Sequence, residues 1–117
     1  MKEQRPKRVA ELIKREVSQI LLSKIEDPRL KRFTITRVEV SSDIGQAKIF
    51  ISFEEDDEKG ERMKVLHKAT GFVKAELARR IRIKFMPEIT FVADNAFQKA
   101  FQVVALLNRM EKEDHRG

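Results

Sequence analysis

The sequence predicts an α+β fold, with helices packed on one face of a three-stranded sheet. Three observations carry that prediction. Val9, Leu12, Ile13, Val17, Ile20 and Leu21 recur at the i, i+3, i+4, i+7 spacing of an amphipathic helix. Ala47, Ile49, Ile51 and Phe53 alternate with Lys48, Phe50 and Ser52, the period of a half-buried strand. Between residues 61 and 93 a helical period gives way, after Pro87, to a segment rich in β-branched and aromatic residues, which reads as another strand.

Taken in order, residues 1–5 read as a flexible basic arm. Pro6 suits the first turn of a helix, where its missing donor is not needed, and this helix should stop before Asp27-Pro28. Residues 33–41 read as a strand whose apolar residues change phase, from Phe33 and Ile35 to Val38 and Val40. A bulge, or burial on both faces, would account for that shift. Residues 42–46 carry Asp43 and Gly45 where a hairpin turn needs them. On the second strand Phe50 points away from the apolar side. It could stack on a base, but covering neighbouring surface is the plainer role.

The acidic run at 54–58 reads as a solubilising loop that would turn away from phosphate. It lacks the Asp-x-Asp-x-Asp-Gly spacing of a calcium loop. A helix then begins near Glu61 and meets Ala69-Thr70-Gly71. A glycine costs a helix about 1 kcal/mol relative to alanine, and Thr70 can bond the backbone one turn back. A kink and a second helix are therefore expected, with Val73, Leu77 and Ile81 on its buried line and Lys74, Arg79, Arg80 and Arg82 off it. Pro87 ends any helix before it. After Asp94, a suitable cap, Phe97, Ala100, Phe101, Val104, Leu107 and Met110 keep helical spacing over 95–110, with a frayed tail at 111–117. This last helix is expected to pack on its own domain, the alternative being a partner or another copy.

Composition bounds the function. A chain of 117 residues implies one domain, here 1–117. The absence of cysteine removes disulfides and thiolate metal sites. No apolar run is long enough to span a membrane, and the basic start leads into an amphipathic pattern rather than a signal sequence, so a cytoplasmic location is expected. Net charge is +6, and five of the 19 acids crowd into residues 54–58, so the remaining surface is more basic than the total suggests. Nucleic acid is then the leading partner, against the plain alternative of a solubilising surface. His67 and His115 are far apart in sequence and support neither a metal site nor a nucleophile–histidine pair. Phosphate-loop and dinucleotide motifs are missing. We expect no enzyme activity, no catalytic residues, no cofactor, no metal and no small-molecule substrate.

A helix, a small-residue break and a cation-bearing second helix is how KH domains grip nucleic-acid backbone. The expected RNA-binding surface is Lys68, Thr70, Gly71, Lys74, Arg79, Arg80, Arg82 and Lys84. Gly71 would allow close approach, and free amides at the start of the second helix would meet phosphate. Lys2, Arg5, Lys7 and Arg8 would extend the footprint. No cluster of solvent-facing aromatics is evident, so recognition of RNA shape and backbone is expected more than of bases.

Several segments together resemble the ribosome-binding factor A family. They are Arg5 to Ile13, residues 34–43, Ala47-Lys48-Ile49, Lys68-Ala69-Thr70-Gly71-Phe72, Leu77, Pro87 to Phe91 and Asp94, spread in matching order over residues 5–107. The resemblance implies a KH-like fold of order α-β-β-α-kink-α-β, with an Ala-x-Gly interhelical kink at Ala69, Thr70 and Gly71. It also implies a monomeric, non-enzymatic factor for the small (30S) ribosomal subunit and its 16S RNA. Such a factor would bind free subunits, assist late maturation and RNA end processing, including in cold adaptation, and leave before translation. One alternative is a protein-interaction module that docks through the basic or C-terminal helix, with RNA attraction incidental. A remoter one is a generic single-stranded DNA binder.

Overall fold

The computed structural model describes residues 4–54 and 60–114, with backbone only at 96–99, 101 and 112–114. Three helices and three strands follow the order α1 (Gln4–Ser23), β1 (Phe33–Val40), β2 (Gln46–Phe53), α2 (Glu61–Arg80), β3 (Glu88–Ala93) and α3 (Ala96–Asp114). The mixed sheet has the order β1-β2-β3, with β1 antiparallel and β3 parallel to the central β2. The α+β class is as expected.

The expected periodicities account for the core. Val9, Ile13, Val17, Ile20 and Leu21 of α1 and Leu66, Val73 and Leu77 of α2 are buried. They meet Ile35 of β1, Ala47, Ile49, Ile51 and Phe53 of β2, and Ile89 and Phe91 of β3. Both helices thus cover one face of the sheet. The expected bulge in β1 lies between Ile35 and Arg37, where the register against β2 shifts. Thr36 sits at this bulge, and its Oγ1 donates to Asp94 Oδ2 at 2.6 Å, fastening β1 to the exit of β3. Bulges commonly redirect a side chain in this way.

Several boundaries differ from the sequence reading. Gln4 and Arg5 belong to α1 rather than to an arm, and residues 1–3 lie outside the described set. α1 stops at Ser23, before Asp27-Pro28 as expected, and Asp27 caps a short 3₁₀ turn, Pro28–Leu30, that the sequence reading did not foresee. Lys31 Nζ donates to the carbonyls of Leu21, Leu22 and Ile25 at 3.2, 2.9 and 2.7 Å. It thereby satisfies acceptors that a helix end leaves without partners. In the β1–β2 turn the left-handed residue is Ile44, at φ 59°, rather than Gly45. Residues 55–59, which hold most of the expected acidic loop, lie outside the described set, as do 115–117; α3 itself runs to Asp114.

The largest correction concerns the second helix: residues 61–80 form a single assigned helix, α2, that runs through Ala69, Thr70 and Gly71 where a break and a new helix start were expected, and Gly71 has no positive φ. Leu66, Val73 and Leu77 are all at 0% exposure on either side of it. Each fully buried side chain contributes about 1.5–3 kcal/mol, which outweighs the glycine cost of about 1 kcal/mol. Thr70 Oγ1 does donate to Leu66 O at 3.0 Å, but within the helix.

Candidate nucleic-acid interface

The continuity of α2 changes what its middle can offer a ligand. Amides near Gly71 are used inside the helix, so the positive end of the dipole lies at Gly60 and Glu61 instead of at a second helix start. Gly71 is exposed, and a Cβ built there would meet nothing within 4 Å. What it offers is a gap in the side-chain layer. Lys68 is exposed nearby, and Thr70 is half-buried.

Further along, three expected cations have carboxylate partners. Lys74 Nζ lies 2.8 Å from Glu88, Arg79 Nη1 3.3 Å from Glu76, and Arg80 Nη1 3.5 Å from Glu16. The Arg80 side chain is only 23% exposed, so it joins α2 to α1 as much as it faces solvent. Ion pairs of this kind hold a guanidinium in place at little net gain, and they lower the local positive field. Arg82 and Lys84 lie beyond the end of α2, in the segment that leads to Pro87. Both are exposed, as are Arg5, Lys7 and Arg8. Lys68, Arg82, Arg5, Lys7 and Arg8 have no carboxylate partner among the described residues.

The expected residues therefore gather in three places. Lys68, Thr70 and Gly71 sit mid-helix, about 13–18 Å from Arg80 at 1.5 Å per residue. Lys7 and Arg8 line a groove on α1 with Gln4, Glu11, Leu12 and Arg15. Arg5 and Lys84 converge on a smaller concavity that also holds Asp43, Ile44, Ile83 and Phe85.

Sequence reasoning missed the aromatics. Phe72 is 46% and Phe85 76% exposed, two separate solvent-facing rings that the sequence reading did not single out. Phe85 carries a sequence signal, since it follows Lys84 in a segment too short and too close to Pro87 to bury it. Phe50 behaves as expected and covers surface: the Arg37 guanidinium lies 3.7 Å from its ring centroid. His67 Nε2 lies 3.3 Å from Phe91 O, bracing α2 against β3. Among the described residues no group of three or more His, Cys, Asp or Glu side chains is placed to hold a metal. No described helix is long and apolar enough to cross a membrane.

Comparison with known proteins gives this geometry a context. The family model for ribosome-binding factor A matches residues 5–107. A ribosome-binding factor A of Trichormus variabilis is 44% identical over 110 residues, covering 92% of this chain and 83% of that protein. The crystal structure of ribosome-binding factor A from Thermus thermophilus is 25% identical with a TM-score of 0.67, over 75% of this chain and 94% of that one. A homology model of the Thermus thermophilus protein, fitted into a cryo-EM map of a 30S–RbfA complex, is 29% identical with a TM-score of 0.57. That likeness covers 69% of this chain and 86% of that one.

Proposed function

The chain belongs to the ribosome-binding factor A family, and from that premise we propose that it binds the free small ribosomal subunit through 16S ribosomal RNA. It acts there as a cytoplasmic, monomeric, single-domain assembly factor without enzymatic activity, needing no cofactor. It assists late folding and end processing of that RNA, including in the cold, and leaves before translation. The observation that carries this reading is the family match over residues 5–107, beside a structural neighbour fitted into a 30S complex. The unpaired exposed cations support it physically, because phosphate attraction needs positive charge that solvent can reach.

The footprint centres on Lys68, Thr70, Gly71, Arg82 and Lys84, with Arg5, Lys7 and Arg8 beside it. Lys74, Arg79 and Arg80 contribute less, since carboxylates already hold them. Cross-linking to purified small subunits, with the modified nucleotides and side chains mapped, tests this. Cross-links to 16S RNA from the first group are expected. No association with small subunits would overturn the reading. Gly71→Ala sharpens it: helix stability should rise by about 1 kcal/mol, while affinity for small subunits falls several-fold as the gap closes. Unchanged affinity would take Gly71 out of the footprint.

A second reading is favoured by one observation. Val103, Val104, Leu106, Leu107 and Met110 of α3 are more than half exposed, which suits docking on a protein with RNA attraction incidental. Binding to small subunits that survives Arg82→Glu and Lys84→Glu but fails with Leu107→Glu would favour it.

A further inference from the structure

The concavity beside the end of α2 combines features that the cation row lacks. Its volume is about 260 Å³, and its lining residues come from three separate elements: Arg5 from the first turn of α1, Asp43 and Ile44 from the β1–β2 turn, and Ile83, Lys84 and Phe85 from the segment after α2. Phe85 is the most exposed large apolar side chain described, at 76%. A single exposed phenylalanine is ordinary on a protein surface. This one has Lys84 Nζ 5.6 Å from its ring centroid and a second cation, Arg5, lining the same hollow.

The turn opposite is built firmly. Ile44 N donates to Ser41 O at 2.9 Å, and Gly45 N donates to Asp43 Oδ1 at 3.0 Å. Ser41 Oγ donates to the same carboxylate oxygen at 2.7 Å. Ile44 is held at φ 59°, a conformation that β-branched residues adopt rarely and that tends to persist where a site requires it. The segment bearing Phe85 is anchored from behind by buried Pro87.

We propose that this hollow captures one unpaired RNA base, which stacks on Phe85 while Arg5 and Lys84 take its flanking phosphates. Aromatic faces stack on any base, and recognition of unstacked bases is the usual route to specificity on folded RNA. Asp43 repels phosphate, so the sugar–phosphate chain runs along the Arg5–Lys84 side, and Ile44 and Ile83 supply the apolar walls. The inference rests on the RNA-binding reading above and deepens it: the protein reads a loop or bulge as well as backbone.

The test uses the full chain and two labelled RNAs: a hairpin with an unpaired loop and a blunt duplex of equal length. Phe85→Ala should bind the hairpin tenfold or more weakly, in keeping with stacking losses of about that size or larger. It should bind the duplex within twofold of the parent. Its slope of log affinity against log salt should be unchanged, because no charge is removed. Phe85→Tyr should bind as the parent does. Melting temperature should be the same for all three, since the ring is exposed. Equal hairpin affinity for Phe85→Ala, an equal loss on both RNAs, or failure of Phe85→Tyr would each overturn the proposal. A parent that binds neither RNA would overturn the RNA reading as well. A parent that binds both RNAs, with Phe85→Ala matching it, would overturn the stacking alone.

Discussion

Helix α1 buries Val9, Ile13, Val17, Ile20 and Leu21 to 7% exposure or less, whereas α3 leaves Val103, Val104, Leu106, Leu107 and Met110 more than half exposed. Both helices carry apolar residues at helical spacing, and each is about 20 residues long. The difference lies in what each helix meets. The sheet has one apolar face, formed by Ile35, Ala47, Ile49, Ile51, Phe53, Ile89 and Phe91, and α1 and α2 cover it. Its other face carries Arg37, Glu39, Lys48 and Thr90, all exposed. Phe50 and Val92 add apolar area to that face, but it stays half-buried, and the described side chains of α3 along residues 102–111 are exposed. The expectation that α3 packs on its own domain is therefore not met over those residues. Periodicity locates an apolar stripe, but burial also needs a complementary surface that nothing else has taken.

Truncation gives the largest expected contrast between the two helices. Ile13→Ala should cost about 2–5 kcal/mol, the range for deleting a fully buried isoleucine. Leu107→Ala should stay within about 0.5 kcal/mol, as exposed substitutions usually do. Urea unfolding of both variants checks this, and a comparable loss for Leu107→Ala would mean that α3 is covered after all.

Charge reversal should give an intermediate contrast. Arg80→Glu places a carboxylate against Glu16, on the edge of α1, in a site where both side chains are less than a quarter exposed. The expected cost is roughly 1–2 kcal/mol, between the values for exposed and buried pairs. Arg109→Glu, on exposed α3, should be neutral within about 0.5 kcal/mol. Equal thermal shifts in the two variants would show that the Arg80–Glu16 contact does not fasten α2 to α1.

The smallest expected effect concerns the turn that follows α1. Arg29 donates to both oxygens of Asp27 and holds its carboxyl at about 2, below its ordinary 3.8. A depressed value means that the ionised form favours the fold. The contribution is present in full above about pH 4 and fades as the pH falls towards 2. Asp27→Asn should be slightly less stable than the parent at pH 6, and the gap should narrow below about pH 4 and close as the pH falls through 2. A gap that stays constant across that range would show that the ion pair adds nothing to how α1 is followed.

By itself the sequence determined the elements, their order and most of the core. Spacing at α1, alternation at β2 and the phase slip in β1 are local patterns that depend on neighbours a few residues away. The surplus of cations was legible for the same reason. The tertiary structure alone decided three things. Gly71 stayed helical because Leu66, Val73 and Leu77 are all anchored in one core, and local propensity is the weaker term there. Lys74, Arg79 and Arg80 acquired carboxylate partners, two of them from other elements. Arg5, Ile44 and Phe85, separated by up to 80 residues, came to line one hollow. Local pattern cannot report such meetings, because they depend on which surfaces remain free after the larger apolar faces have paired.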